Sequence, residues 1–312
     1  MDKFSQIVCG VALVVAANVS LVVAETRSPE ARPVTVAVAA DISVLHDVVI
    51  GKGGGRDLHA EIAYPSAAVS PLPAVVYVHG GAWSGGSHKR PAVLLQLAQS
   101  GYFAASIEYR LSGEAKWPAQ IQDCRLAIRW LRANAAKYHV NPERIGVWGD
   151  SAGGHLVACL GTMAEVKEYE GDGGFPGVSS AVQAVIDFYG PTSLVATATD
   201  ASGCYPPNHM KPIEALFGVP YAQNPELWKS GSPLLHVKAG NPPMLLVHGD
   251  ADRTVHLAQS TMFAAALAKA GVPHQFLVVK KAGHGFPPLP HPVRVEIDKT
   301  VYDFLAKYLK KS

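Results

Sequence analysis

Short apolar runs alternate with amphipathic segments along most of the chain. The runs at 74–78 (AVVYV), 103–107 and 145–148 lack the polar alternation of a half-exposed strand. Continuous apolar runs of this length are typical of parallel strands that helices cover on both faces. Segments 90–100 and 118–138 instead repeat their apolar residues at a helical period. The alternation predicts one α/β domain with a mainly parallel central sheet and helices on both faces.

The same pattern continues through the rest of the domain. Further strands are predicted at 44–50, 58–64, 182–188, 244–247 and 274–279, and further helices at 155–164, 257–270 and 293–310. The segment 141–143 (NPE) predicts a turn before the strand at 145–148. The segment 191–242 is irregular, rich in Pro, Gly and Ser, and interrupts the alternation. We expect this insertion to lie over the carboxyl ends of the strands, where open α/β sheets bind ligands.

The first 24 residues differ from the rest of the chain. Lys3 precedes an apolar stretch over 7–24, and small residues end at Ala24 as in a signal-peptidase site. The pattern predicts a signal peptide over 1–24, a Pro- and Ala-rich tether over 25–43 and the α/β domain over 44–312. A secreted or periplasmic protein is expected, with no membrane contact in its mature form. The alternative is an uncleaved membrane anchor, because the apolar stretch approaches the roughly 20 residues that span a bilayer.

Composition and charge restrict the classes of partner. The chain is 48% hydrophobic and 17% charged, with a net charge of +2 and no basic block. It therefore offers no electrostatic reason to expect nucleic acid as a partner. Removal of 1–24 leaves Cys124, Cys159 and Cys204, which form at most one internal disulfide. No metal-ligand motif occurs, so no metal or cofactor is expected, and the oligomeric state stays open.

A serine between small residues follows the apolar run at 145–148. In GDSAG (149–153), Ser151 lies between a predicted strand and a predicted helix, the context in which G-x-S-x-G forms a sharp turn. Gly149 and Gly153 allow the close packing that such a turn needs, and the serine hydroxyl is then exposed. The N–H of Ala152 opens toward a developing anion at the helix start. Ser151 is therefore the candidate nucleophile.

Two later loops supply the groups that a serine nucleophile needs. His284 stands in the loop AGHGF after the last predicted strand, and we expect it to act as the base. Asp250 and Asp252 both follow the strand at 244–247. We favour Asp252 as the carboxylate that orients His284, and we expect Asp250 to accept hydrogen bonds from loop N–H groups. The chain order Ser, Asp, His is that of α/β-hydrolases.

The stretch HGGAW (79–83) follows the strand at 74–78. A glycine-rich turn at this place can aim backbone N–H groups at Ser151. Acyl transfer needs such donors because the carbonyl oxygen becomes an oxyanion. We interpret His79 as a structural residue that orders the loop, and a plain loop after a strand is the alternative interpretation.

Taken together, these motifs resemble a known family. HGGAW, EYRLS (108–112), GDSAGG and HGDADRTV are similar to motifs of bacterial esterases of the α/β-hydrolase superfamily, and the resemblance covers 44–311. The nearest groups are the hormone-sensitive-lipase-like esterases and the bifunctional acetyl-xylan/feruloyl esterases. WPAQIQDC (117–124) and WLRANAAKY (130–138) resemble the second group.

The resemblance implies an α/β-hydrolase fold and a set of site residues. The implied roles are nucleophile for Ser151, base for His284, acid for Asp252, and an oxyanion hole made by the N–H groups of Ala152 and two of Gly80, Gly81 and Ala82. Hormone-sensitive-lipase-like members usually carry a third glycine where this chain has Ala82. Many also have an N-terminal helical cap, for which 25–43 is too short. Both departures favour the acetyl and feruloyl esterase group.

The expected function is that of a secreted serine esterase which hydrolyses carboxylic esters through an acyl-enzyme. Candidate substrates are feruloyl or acetyl esters, either small molecules or linked to plant polysaccharides. The alternatives are an amide or peptide hydrolase of formamidase or prolyl-oligopeptidase type, and a non-catalytic binding module on the same fold. Trp83, Tyr205 and Trp228 are expected to line the substrate site.

Overall fold

Nine strands form one sheet in the computed structural model, which describes residues 21–23, 41–199 and 210–310. The strands are β1 (Leu21–Val23), β2 (Ile42–Gly53), β3 (Arg56–Pro65), β4 (Leu72–Val78), β5 (Phe103–Ile107), β6 (Val140–Asp150), β7 (Ala184–Phe188), β8 (Met244–Gly249) and β9 (His274–Val279). Their spatial order is β1-β9-β8-β7-β6-β4-β5-β3-β2. All pairings are parallel except β2 with β3 and β3 with β5. The predicted mainly parallel α/β sheet is confirmed.

Helices cover both faces of this sheet. One face carries α1 (Pro91–Gln99) and α8 (His291–Leu309), and the other carries α2 (Ala119–Ala133), α3 (Ala152–Thr162) and α7 (Ala258–Lys269). Along β4, Val76 and Val78 enter one core while Val75 and Tyr77 enter the other. Successive side chains of a strand point to opposite faces. Because both faces are covered, every residue of β4 is buried, which explains the continuous apolar run in the sequence.

The start of β6 differs from the predicted one. The strand begins at Val140, and the predicted turn at 141–143 forms an irregularity inside its pairing with β4. The turn chemistry is still present locally, because Asn141 Oδ1 accepts a hydrogen bond from the N–H of Glu143 at 2.9 Å.

The end of α2 also differs from the predicted one. The helix was expected to continue to 138 but ends at Ala133. Asn134 caps it there, since both its backbone N–H and its side-chain amide donate to the carbonyl of Trp130, at 3.0 and 2.8 Å. The carbonyl of Trp130, in the last turn, thus has its hydrogen-bond donors without a further helical residue, and the helix can end here.

The insertion at 191–242 leaves the sheet after β7 and returns to it at β8. Its described helices are α4 (Leu194–Thr199), α5 (Met210–Phe217) and α6 (Pro225–Ser230). The two ends of the insertion are joined, because Leu194 N donates to Ser232 Oγ at 3.0 Å and Leu234 N donates to Thr192 O at 2.9 Å.

Gln259 on α7 holds the first part of the insertion to the domain. Its buried side-chain oxygen accepts the N–H groups of Thr192 and Ser193 at 2.8 and 2.6 Å, and its amide nitrogen donates to Thr197 Oγ1 at 3.2 Å. Buried polar groups with several partners fix backbone positions, because leaving them unpaired is costly. The described start of the insertion is therefore held in one conformation at the edge of the sheet.

The predicted signal peptide and tether lie mostly outside the described residues. β1, from the end of the predicted signal peptide, pairs in parallel with β9 at one edge of the sheet. β2 begins at Ile42, inside the predicted tether. Cleavage after Ala24 stays a prediction. Across the described ranges, no helix has the length and apolar character needed to cross a membrane.

Both described cysteines are free and buried, Cys124 on α2 and Cys159 on α3. Burial raises the pKa of both thiols well above the ordinary value, so both stay protonated. They pack as small apolar residues, and Cys204 lies outside the described residues.

Candidate active site

Ser151 occupies a strained turn between β6 and α3. Its φ of 54° and ψ of −119° form a conformation that residues with a side chain rarely adopt. A Cβ added to Gly149 would lie 2.3 Å from Gly153 O, and one added to Gly153 would lie 2.0 Å from Val78 O. Both glycines are thus required by close backbone contacts. The turn is so tight that α3 begins at Ala152, directly after the serine, and not at 155 as predicted.

The structure brings Ser151, Asp252 and His284 together. Ser151 Oγ lies 2.9 Å from His284 Nε2, and His284 Nδ1 lies 2.7 Å from Asp252 Oδ2. The three residues follow β6, β8 and β9, whose carboxyl ends lie at the same edge of the parallel sheet. A carboxylate only accepts hydrogen bonds, so the imidazole proton lies on Nδ1 and Nε2 accepts the serine hydroxyl. This is the arrangement of a nucleophile, a base and an orienting acid.

Asp252 is buried among hydrogen-bond donors. Its Oδ1 accepts the N–H groups of Thr254 and Val255 at 2.8 and 2.9 Å, while Oδ2 faces His284 and also lies 3.3 Å from His248 Nε2. Burial by itself would raise the pKa of this carboxyl. The hydrogen bonds from His248, His284 and Val255 outweigh it and hold the pKa of Asp252 well below its ordinary value. Asp252 is therefore ionised at neutral pH.

Asp250, the competing acid, has different partners. Its Oδ1 accepts the N–H of Lys281 at 2.5 Å, and its Oδ2 lies 3.4 Å from Lys280 Nζ. It therefore holds the loop after β9 against the loop after β8, and it accepts a loop N–H as expected from the sequence.

Asp150, directly before the nucleophile, holds the glycine-rich loop after β4. Its Oδ1 accepts the N–H of Gly80 at 3.1 Å and the hydroxyl of Tyr77. The N–H of Gly80 is therefore engaged and does not face a substrate. Of the loop donors that the resemblance implied, Gly81 and Ala82 remain.

His79 orders the same loop from inside the protein. It is buried, its ring stacks on Tyr109 with centroids 4.4 Å apart, and its Nδ1–H donates to Gly80 O at 2.7 Å. Tyr109 in turn donates its hydroxyl to His79 O at 3.0 Å. These contacts fit the structural role that the sequence predicted for His79.

Of the oxyanion-hole donors that the resemblance implied, the backbone N–H groups of Gly81, Ala82 and Ala152 have no acceptor among the described residues. Ala152 is the first residue of α3, where the N–H groups lack an intrahelical partner. Ala82 has a φ of 53°, in the left-handed region that favours glycine. This is the position at which hormone-sensitive-lipase-like members usually carry a third glycine. Ala82 adopts this conformation in spite of its side chain, so its N–H has a glycine-like orientation.

A cavity of about 120 Å³ opens beside Ser151. Its wall is built by the glycine-rich loop, the start of α3, the insertion and the segment after β8, namely Ala82, Trp83, Ala152, Pro191, Thr197, Pro212, Ile213, Thr254, Val255 and Gln259. The insertion thus supplies one side of the cavity, as its position in the sequence predicted.

The predicted aromatic lining is only partly correct. Trp83 lies in the cavity wall, but Trp228 does not. Trp228 is fully buried, stacks on Phe217 with centroids 5.1 Å apart, and donates its Nε1–H to Val219 O at 3.1 Å. The prediction for Trp228 is wrong because its indole packs against Phe217 and Tyr221 within the hydrophobic core that the insertion shares with the α3 face of the sheet. Tyr205 lies outside the described residues.

Sequence analysis missed several polar residues behind the site. Asp150 supports the glycine-rich loop, His248 supports Asp252, and Thr197 and Gln259 form polar parts of the cavity wall. Asp150 and His248 could have been found from the sequence, since both lie inside the motifs that identified the site. No sequence pattern marks Thr197 and Gln259, because only the folding of the insertion against α7 brings them into the cavity wall.

Away from this cavity, one group in the described part of the chain has metal-ligand spacing. The ligand atoms of Asp47, Glu61 and His88 all lie within 4.8 Å of one another. Asp47 lies 3.4 Å from Lys89 Nζ, while Glu61 accepts hydrogen bonds from His46 and from the N–H of Asp47. The protein itself therefore supplies partners for both carboxylates, and the group joins β2, β3 and the segment before α1.

A protein-family comparison matches residues 60–267 to the BD-FAE model. This range includes the glycine-rich loop, Ser151 and Asp252. The chain belongs to the BD-FAE family. Its predicted resemblance to esterases of the α/β-hydrolase type is thereby confirmed, and its fold matches that of a solved carbohydrate esterase over 88% of this chain.

Individual relatives of this BD-FAE protein are named as esterases. Esterase LipQ of Mycobacterium tuberculosis is 35% identical over 231 residues, which are 72% of this chain and 53% of LipQ. The chain thus spans about half the length of the curated relatives it matches. A truncated carbohydrate esterase from gut microbiota is 31% identical, with a TM-score of 0.77 over 88% of this chain and 99% of that one.

Esterase 2 of Thermogutta terrifontis provides a further structural comparison. Its form phosphonylated by cyclosarin is 27% identical, with a TM-score of 0.70 over 86% of this chain and 95% of that one. The same esterase has also been solved with bound propionate and with bound butyrate.

Proposed function

We propose that this BD-FAE family protein is a serine hydrolase of carboxylic esters with short acyl groups. One observation carries the proposal: hydrogen bonds run without a break from Ser151 through His284 to the ionised Asp252. The esterase names of the relatives support it. So does the phosphonylated form of the T. terrifontis esterase, since phosphonylation requires a nucleophilic side chain.

In the acylation half-reaction, Ser151 Oγ attacks the ester carbonyl carbon while its proton passes to His284 Nε2. The carbonyl π electrons move to the oxygen, and the N–H groups of Gly81, Ala82 and Ala152 stabilise the resulting oxyanion. One such donor contributes roughly 3 kcal/mol to catalysis. Collapse of the intermediate breaks the ester C–O bond, and the leaving alcohol takes the proton from His284. Asp252 stabilises the imidazolium while the proton is on the ring.

Deacylation repeats these steps with water as the nucleophile. His284 Nε2 takes a proton from water, the hydroxyl adds to the acyl carbon, and the same three N–H groups stabilise the second oxyanion. The bond to Ser151 Oγ then breaks and the serine recovers its proton from His284. The acid product and the free enzyme result.

The size of the cavity favours a short acyl group. A cavity of about 150 Å³ holds one benzene molecule, and the cavity beside Ser151 measures about 120 Å³. An acetyl to butyryl chain fits this space, whereas a feruloyl group adds substituents to a ring and a propenoyl linker. We therefore favour acetyl over feruloyl esters. The propionate and butyrate complexes of the T. terrifontis esterase support this choice.

We further propose that the alcohol component is a carbohydrate hydroxyl and that the mature protein acts outside the cytoplasm. The carbohydrate esterase of gut microbiota, similar over nearly its whole length, supports the first point. The apolar N-terminal segment, with small residues before Glu25, supports the second.

Substrate profiling tests the proposal. Purified protein is assayed on the p-nitrophenyl esters of acetate, butyrate, octanoate and ferulate, which share one leaving group, and on acetylated xylan, with Ser151→Ala as the blank. We expect acetate and butyrate to be hydrolysed at least about tenfold faster than octanoate and ferulate, a difference of about 1.4 kcal/mol in barrier. Ferulate faster than acetate would refute the short-acyl assignment. Turnover of formanilide without ester turnover would support the amide hydrolase alternative, and binding of acetylated xylan without any turnover would support the binding module.

A further inference from the structure

His155 lies where three parts of the active site meet. It is fully buried on α3, one turn after Ser151. Its Nδ1 accepts the indole N–H of Trp83 at 3.2 Å, and its Nε2–H donates to Gly231 O at 2.7 Å. Trp83 belongs to the glycine-rich loop and to the cavity wall, and Gly231 belongs to the insertion. The imidazole of His155 therefore connects α3, the glycine-rich loop and the insertion.

The two partners determine the protonation state of the ring. An indole N–H only donates, so Nδ1 must be unprotonated, and a carbonyl oxygen only accepts, so Nε2 must carry the proton. Burial lowers the pKa of His155 to about 4, although the bond to Gly231 partly opposes this. The ring is therefore neutral at neutral pH, and both of its nitrogens are satisfied.

The surroundings leave the ring little freedom. Trp83 meets it edge-on with centroids 5.2 Å apart, and Trp117 lies at 5.7 Å. Gly231 is equally confined, because a Cβ there would lie 2.7 Å from the Phe217 ring. Trp83 itself has a φ of 57°, which is strained for a residue with a side chain. Its orientation must therefore be held by contacts such as the bond to His155.

We propose that His155 is a positioning residue that sets acyl-chain selectivity by holding Trp83 in the cavity wall against the insertion. The inference rests on the proposed esterase function, but it concerns selectivity and not chemistry. Within the described residues, the imidazole makes no hydrogen bond to the side chains of Ser151, His284 or Asp252. When the indole loses this bond, it can turn away from the cavity, and longer acyl chains gain space.

Two variants separate the two hydrogen bonds. In His155→Asn the amide oxygen stands near the place of Nδ1 and keeps the bond from Trp83, while the donor to Gly231 is lost. In His155→Gln the amide nitrogen stands near the place of Nε2 and keeps the bond to Gly231, while the Trp83 N–H is unpaired. The assay measures kcat and KM for p-nitrophenyl acetate and octanoate. We expect His155→Gln to raise the octanoate-to-acetate ratio of kcat/KM by about fivefold, mainly through KM, and His155→Asn to change it less.

Trp83→Phe tests the same bond from its other end. It removes the indole N–H and keeps an aromatic ring, so it provides a measurement even if a His155 variant fails to fold. If the bond carries the effect, the changes in Trp83→Phe and His155→Gln should not add in the double variant, because both remove one interaction. Fully additive changes in the ratio would contradict the proposal.

Leu305→Ala serves as the control for a general loss of stability. Leu305 is fully buried on α8, on the opposite face of the sheet from α3. We expect this variant to melt at a lower temperature without a change in the octanoate-to-acetate ratio. An equal change in Leu305→Ala, or an unchanged ratio in His155→Gln while ester turnover persists, would overturn the positioning role. Absence of ester turnover in the wild-type protein is a separate result, which would refute the proposed function and this inference with it.

Discussion

Asp252→Asn should remove nearly all ester turnover while the protein stays folded. The reason lies in the donors around the carboxylate. Oδ1 accepts two backbone N–H groups, from Thr254 and Val255 at 2.8 and 2.9 Å. These donors require an acceptor, so the amide oxygen of asparagine must take that place, and its NH₂ must face His284. Nδ1 of His284 then has to accept, which moves the imidazole proton to Nε2, facing Ser151.

The size of the effect follows from this tautomer. With its proton on Nε2, His284 cannot accept the proton of Ser151, and the imidazolium loses its counter-charge. The same exchange of acid for amide in a Ser-His-Asp triad lowers kcat by about 10⁴, which corresponds to about 5.5 kcal/mol of barrier. KM should change little, because Asp252 does not line the cavity.

The assay compares kcat for p-nitrophenyl acetate and the rate of inactivation by an organophosphate, which reports the nucleophilicity of Ser151 directly. Asp250→Asn is the matched control, since Asp250 contacts Lys281 and Lys280 and not the imidazole. We expect kcat of this control within about tenfold of wild type. Circular dichroism tests whether both variants are folded. If Asp252→Asn retains kcat within tenfold of wild type, or if Asp250→Asn is the more damaging variant, the assignment of the acid is wrong.

Three further predictions concern the nucleophile, a buried acid and the insertion. Ser151→Ala should lower kcat/KM for p-nitrophenyl acetate by at least about 10⁴ with an unchanged thermal melt, and near-normal turnover would disprove the nucleophile. Burial raises the pKa of Asp187 to about 6 from an ordinary 3.8. The carboxyl therefore contributes its full stabilisation of the folded state below pH 3.8, where it is protonated in both the folded and the unfolded chain. This stabilisation is lost as the pH rises through about 6. Asp187→Asn should therefore remove a decrease of about 3 kcal/mol in the free energy of unfolding between about pH 4 and pH 7, and urea unfolding profiles equally steep in both proteins would contradict this. Trp228→Ala should lower the free energy of unfolding by about 3–5 kcal/mol. A fully stable Trp228→Ala variant with altered acyl preference would show that the indole contacts substrate.

The sequence by itself determined the sheet and the convergence of the reactive loops. Apolar runs that lack polar alternation fold as parallel strands covered on both faces, and all such strands end at the same edge. Residues placed directly after them, Ser151, Asp252 and His284, must therefore meet, although 133 residues separate the first from the last. The need for glycines around Ser151 could also be predicted from the sequence, because the conformation of the turn depends on its immediate neighbours and on the adjacent strand β4.

Only the tertiary structure decided which groups face the substrate. The N–H of Gly80 stood among equivalent candidates until the fold placed Asp150 on it. Trp83 and Trp228 were both predicted to line the substrate site, yet Trp83 lines the cavity and Trp228 is buried in the hydrophobic core that the insertion shares with the domain. His155 gained its role from Gly231, 76 residues away in the chain. The burial and the hydrogen-bond partners of these residues are determined by segments that are remote in sequence. A pattern of a few residues contains no information about which remote segment packs against it.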